Sequence, residues 1–184
     1  TKISNSTVTK MEKKDNYVFC GINSNESDII ILNVTDWSKP IIVNFAQKIT
    51  WGKLSNHIVE LKVYKERLYI VYNYVICIYN ITEVYDPRFI SKWERKNTYD
   101  YIYSASLTKY LITLSDYYSK IYTVDTEDYN FTIKSSFANE VATYCTCLSE
   151  DKKYLYVGTK GGVEIYESKN FNHTLLAISP TSRV

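Results

Sequence analysis

The chain has 184 residues but only 5 Gly and 3 Pro, the residues that make tight turns easiest. Its turns must therefore be built from Asn, Asp, Ser and Lys. It has 2 His, and no H-E-x-x-H, G-x-S-x-G or phosphate-loop pattern, so no ready-made hydrolytic or nucleotide motif is present. No apolar run reaches the 18 residues that a membrane-spanning helix requires. No charge of one sign dominates: 22 basic and 20 acidic residues leave a net charge of +2. The densest basic run, residues 92–96 (KWERK), contains a Glu. That excludes the basic footprint of a nucleic-acid partner. Nor does any segment sustain an apolar stripe at helical spacing for ten residues.

What the chain does have is tyrosine, 19 of them, and short runs of Val, Ile and Tyr. Residues 58–94 read as four strands in a row: Ile58–Tyr64, Leu68–Tyr72, Val75–Tyr79 and Arg88–Trp93. Each is about five to seven residues long and is bounded by charged or turn residues. The pattern recurs. Third strands and their turns read IIILNVTDWSKP (29–40), VICIYNITEVYDP (75–87), KIYTVDTEDYN (120–130) and GVEIYESKNFN (162–172). Second strands repeat in step at YVFCGI, LYIVY, YLITL and YLYVG. A period of 40–50 residues with four strands in each period predicts propeller blades. A lone blade leaves both faces apolar and is stable only against neighbours.

The first two copies, residues 16–95, carry a Leu-Tyr-Ile-Val-like strand followed by a Ser/Thr-Asp-Pro-like turn. In this they resemble the LVIVD repeat family. The later copies, 101–180, lack the Pro and resemble it in strand pattern alone. The resemblance implies a β-propeller and no particular reaction.

The expected fold is all-β, with four four-stranded antiparallel blades at about 7–46, 58–95, 101–138 and 141–180. The first inner strand is expected at Val8–Met11, with residues 12–16 as a turn. No spare strand is evident for ring closure, so the four blades are expected to belong to a larger ring or array, or to one completed by another chain, with a closed four-blade ring as the alternative. Without an initiator Met, the sequence reads as processed or as a piece of a longer protein. The long connection 46–57 carries Trp51. With Trp93 at a blade end, it is a candidate contact residue.

Groups for chemistry are few. Glu60 is the one acid expected on an inner strand. Asp125, Glu127 and Asp128 lack the glycine and distal Glu of a calcium loop, so they read as an acidic turn. Cys20 and Cys77 lie in apolar strands as small hydrophobes, and a bridge between them is conceivable. Cys145 and Cys147 share a strand face, which makes no zinc site without a second pair. No metal, cofactor or catalytic residue is assigned.

Asn-x-Ser/Thr occurs six times, at Asn5, Asn25, Asn33, Asn80, Asn130 and Asn172. Chance predicts about three for this composition. Asn33 and Asn80 occupy equivalent positions, as do Asn130 and Asn172. This predicts N-linked glycans along one rim, against the plain alternative of turn-capping Asn. The expectation is a secreted or cell-surface glycoprotein propeller without catalysis, binding protein partners or copies of itself. The alternatives are a cytoplasmic scaffold and a propeller glycosidase or lyase.

Overall fold

The computed structural model describes residues 7–23, 27–47, 57–95 and 101–180. Among the described residues, sixteen strands form four antiparallel sheets of four, each in simple sequential order. The first sheet holds β1 (Thr7–Lys14), β2 (Tyr17–Asn23), β3 (Ser27–Asn33) and β4 (Ile41–Gln47). The second holds β5 (Ile58–Tyr64), β6 (Arg67–Tyr72), β7 (Val75–Asn80) and β8 (Arg88–Glu94). The third holds β9 (Ile102–Thr108), β10 (Leu111–Asp116), β11 (Lys120–Asp125) and β12 (Thr132–Ala138). The fourth holds β13 (Thr143–Leu148), β14 (Tyr154–Thr159), β15 (Gly162–Lys169) and β16 (Asn172–Pro180). The architecture is that of β-propeller blades.

Two compact units divide the chain, Thr1–Lys92 and Trp93–Val184. In the first, Phe19, Ile29 and Ile31 of one sheet bury against Leu61, Leu68, Ile70 and Cys77 of the next. Residues alternate along a strand, so Cys20, Ile22 and Ile30 fall on the opposite face in a separate cluster. In the second unit, Leu111 and Ile121 pack with Leu148, Leu155, Val157 and Tyr166. Each such aliphatic side chain contributes about 1.5–3 kcal/mol on burial.

The scarcity of glycine shows in the first hairpin of each sheet. Asp15, Lys65, Lys109 and Lys152 take its left-handed position, with φ of 53°, 53°, 57° and 63°. A second constant feature closes each sheet. The N–H of Val34, Ile81, Thr126 and Ser168, just after or near the end of the third strand, donates to a carbonyl of the first hairpin, at Asn16, Glu66, Tyr110 and Lys153.

The first strands share an irregularity as well. In each, one residue near the start stands outside the pairing register: Thr9, Val59, Tyr103 and Tyr144. These are β-bulges, which bend a strand and re-aim its side chains. β1 runs on to Lys14, so the turn expected at 12–16 is confined to Asp15 and Asn16. Charged residues along an edge strand read like a turn in sequence, because even those on its less exposed face, Lys10, Glu12 and Lys14, keep contact with water.

One glycine is fixed by close approach. A Cβ on Gly158 would lie 2.5 Å from Cys145 Sγ, its cross-strand partner. Gly158→Ala is expected to cost about 1 kcal/mol or less, because the Cys145 side chain is exposed and its thiol can turn away. Adding Cys145→Ala should recover most of that loss in denaturant melts.

Candidate functional site

Within the first unit, β1 packs beside β5. After the bulges at Thr9 and Val59, the two strands present interleaved charges of alternating sign. Lys10 Nζ lies 3.5 Å from Glu60 Oε2, Lys62 Nζ 2.8 Å from Glu12 Oε1, and Lys14 Nζ 2.9 Å from Glu66 Oε2. Glu60 Oε1 also accepts the N–H of Leu61 at 3.0 Å. All six side chains keep partial contact with solvent. Partly exposed pairs of this kind add little stability, about 0–1 kcal/mol each. The expectation that Glu60 is the one inner-strand acid is corrected here, because Glu12 stands beside it. The signal was the alternation Lys10, Glu12, Lys14, which is charged at every second residue.

In the second unit the corresponding pair, β9 and β13, is lined by hydroxyls. Thr146 N–H donates to Ser104 Oγ at 3.1 Å, and Thr108 Oγ1 donates to the Leu148 carbonyl at 2.9 Å. Ser106 and Thr113 share a hydrogen bond of 2.7 Å.

Three further polar clusters lie in the second unit, buried or half-buried. Arg95 Nη2 donates to Asp116 Oδ2 at 3.1 Å and to Tyr122 Oη at 2.9 Å, with the Arg95 and Asp116 side chains 8% and 3% exposed. Burial pushes the Tyr122 phenol above its usual range, against the pull of the Arg95 charge. Glu164 accepts from Tyr166 Oη and Asn139 Nδ2, both at 2.8 Å. Burial, reinforced by that carboxylate, raises the Tyr166 phenol as well. His173 Nε2 shares a 3.0 Å hydrogen bond with Ser135 Oγ, and its ring lies 5.4 Å from that of Phe137.

Burial depresses the His173 imidazole below its ordinary 6.5. The unfolded chain therefore binds this proton more readily than the folded one. The stability contribution is present above pH 6.5 and is lost as pH falls through the folded value. Thermal melts should show a declining midpoint on acidification from about pH 6.5. His173→Gln should flatten that limb. The aspartates held low by turn hydrogen bonds, Asp36, Asp128 and Asp151, act only in the carboxylate range.

The glycan candidates divide into two kinds. Asn33 Oδ1 accepts from Thr35 N–H and Oγ1 at 2.9 and 2.7 Å, and Asn80 Oδ1 accepts from Thr82 N–H at 2.8 Å. Both are half-buried at third-strand ends and brace their turns. Asn130 and Asn172 are exposed. Asn5, Asn25 and Trp51 lie outside the described residues. Trp93 is half-buried, with the Arg95 guanidinium 5.9 Å from its ring centre. Cys20 and Cys77 are buried thiols in separate clusters, not a disulfide. Burial raises the Cys20 thiol. Asp125 is tied to Lys134 at 3.3 Å and Asp128 to the Asn130 N–H at 3.1 Å.

No protein-family model matches the chain, and no curated protein matches it. Solved structures do. A Bacteroides fragilis chain assigned as a candidate 6-phosphogluconolactonase is similar with a TM-score of 0.73 and 10% identity, over 93% of this chain and 53% of its own. The periplasmic gluconolactonase of Pseudomonas aeruginosa gives 0.74 and 7%, over 95% and 53%. A chain of the mitotic checkpoint complex gives 0.69 and 12%, over 96% and 54%. This chain therefore spans about half the length of each. The β-propeller fold stands. The expectation of a non-catalytic module is overturned by the lactonase names of two of these neighbours, whose likeness to this chain, at 7% and 10% identity, is one of fold.

Proposed function

We propose that the chain forms part of a propeller hydrolase that opens a small, hydroxyl-rich cyclic ester. The observation that carries this reading is the Lys10–Glu60 and Lys62–Glu12 row on two adjacent first strands. It is supported by the lactonase names of two fold neighbours. Opening a lactone requires water to be deprotonated as its oxygen attacks the carbonyl carbon. The developing oxyanion must be stabilised, and the ring C–O bond then breaks with a proton delivered to the departing hydroxyl. Glu60 is placed to take the water proton and return it to that hydroxyl. Lys10, beside it, supplies positive charge for the oxyanion. The products are a hydroxy acid and no other group, so the reaction balances with water alone.

Glucono-δ-lactone and its 6-phosphate are the first substrates to assay, followed by acid release in a pH-stat. Glu60→Gln is expected to lower kcat by about 10²–10⁴-fold, with an unchanged thermal midpoint. Lactone opening that is unaffected by Glu60→Gln, or no opening above the uncatalysed rate, would remove this reading.

The same proposal keeps the protein on the secretory route. It rests on the exposed sequons at Asn130 and Asn172 and on the periplasmic origin of one neighbour. Among the described residues no helix is long and apolar enough to cross a membrane. The LVIVD-type repeat is retained for the first two sheets, on the strength of the matching Asn33 and Asn80 turns.

A further inference from the structure

The first and second sheets meet through an apolar layer, whereas the third and fourth meet through hydroxyls. Phe19 and its cross-strand partner Ile31 bury with Leu61 of the next sheet. Counted from the carbonyl that closes each sheet, at Asn16 and Tyr110, Thr113 takes the place of Phe19. Its cross-strand partner Thr123 takes the place of Ile31. Counted from the bulges at Val59 and Tyr144, Thr146 takes the place of Leu61. One aromatic and two aliphatic side chains are thus exchanged for three threonines. The matching pairs of the second and fourth sheets are Tyr69 with Ile78 and Tyr156 with Ile165, so the third sheet is the exception.

Ser115, two residues beyond Thr113 on the same face, and its cross-strand partner Ser104 extend the polar layer. Some of these hydroxyls are satisfied within it. Ser106 and Thr113 share a hydrogen bond, and Ser104 Oγ accepts the Thr146 N–H. Three are not. Ser115 Oγ, Thr123 Oγ1 and Thr146 Oγ1 are sealed from solvent and meet no hydrogen-bonding group among the described residues. Their residues are 0%, 0% and 4% exposed. Thr123 lies opposite Thr113, while Ser115 and Thr146 both adjoin Ser104, so the three gather in one seam. Leu111, Ile121 and Leu148 border it with apolar surface. Stranding buried hydroxyls is costly, and Thr fills less volume than Phe, Ile or Leu.

We infer that this seam is a binding site for ordered water, which bridges the third and fourth sheets where the first and second use direct apolar contact. Water both donates and accepts, as the hydroxyls that line the seam do. A buried water typically makes about three hydrogen bonds to polar groups of this kind. None of the six side chains that form the layer is charged, so the seam does not suit an ion, whose burial demands a charged partner. This inference does not depend on lactone hydrolysis.

The test is oxygen-17 relaxation dispersion of solvent water, which reads waters that stay in the protein longer than it takes to tumble. Ser115→Ala, Thr123→Val and Thr146→Val together should lower the amplitude by the signal of at least one water. Thr126 Oγ1 is also buried but donates to the Tyr110 carbonyl at 2.7 Å, so Thr126→Val should leave the amplitude unchanged. Thr123→Val alone keeps the side-chain shape and guards against a triple variant that does not fold. Its thermal midpoint is expected to fall by about 2–4 °C, because the bridging water loses a partner. A midpoint that stays or rises would mean that the hydroxyl is stranded in the native protein. That result, or a folded triple variant with the wild-type amplitude, overturns the inference.

Discussion

Asp116→Asn is expected to destabilise the protein by about 3–5 kcal/mol, seen as a large fall in the denaturant midpoint. The substitution takes the Asp116 charge away from the buried Arg95 guanidinium, which keeps its hydrogen bond to Tyr122 Oη. It can also turn an amide donor toward a donor. Arg95→Met should cost less, because Asp116 would still hold three donors: two backbone N–H groups and the Tyr122 hydroxyl. The double variant should fall between wild type and Asp116→Asn, since removing both charges leaves neither stranded. Strict additivity of the two losses would contradict the pairing described here.

Phe19→Ala is expected to cost about 3–5 kcal/mol. Phe19 is fully buried and packs with Ile29 and Ile31 of its own sheet and with Leu61 and Ile70 of the next. Truncation opens a cavity where two sheets meet, and rigid strands on both sides prevent its collapse. Phe19→Leu should recover much of the loss. Denaturation followed by circular dichroism provides the measurement, and a loss below 1 kcal/mol would mean that the two sheets do not depend on this contact.

How much of this was readable beforehand depended on the kind of signal. The four-fold repeat was legible because strand order and turn spacing are written in apolar runs such as LYIVY and YLITL. The bulges were not, since Thr9, Val59, Tyr103 and Tyr144 share a position but no single residue type. The left-handed hairpin residues were equally silent. Glycine normally announces such a φ, and here Asp15, Lys65, Lys109 and Lys152 adopt it without one. Asp116 carries no signal of its own in the sequence, because its partner Arg95 is distant along the chain. The reading of a non-catalytic module came from the lack of local motifs. Groups brought together from separate strands, such as Lys10 and Glu60, produce no such motif.

The hydroxyl contacts along β13 have a consequence for behaviour at high concentration. An innermost strand offers an unpaired row of N–H and C=O groups, a template for recruiting a foreign strand. Ser104 and Thr108 occupy two of those groups, at Thr146 and Leu148. Short hydroxyl side chains thereby guard this edge against aggregation, without proline and without another strand.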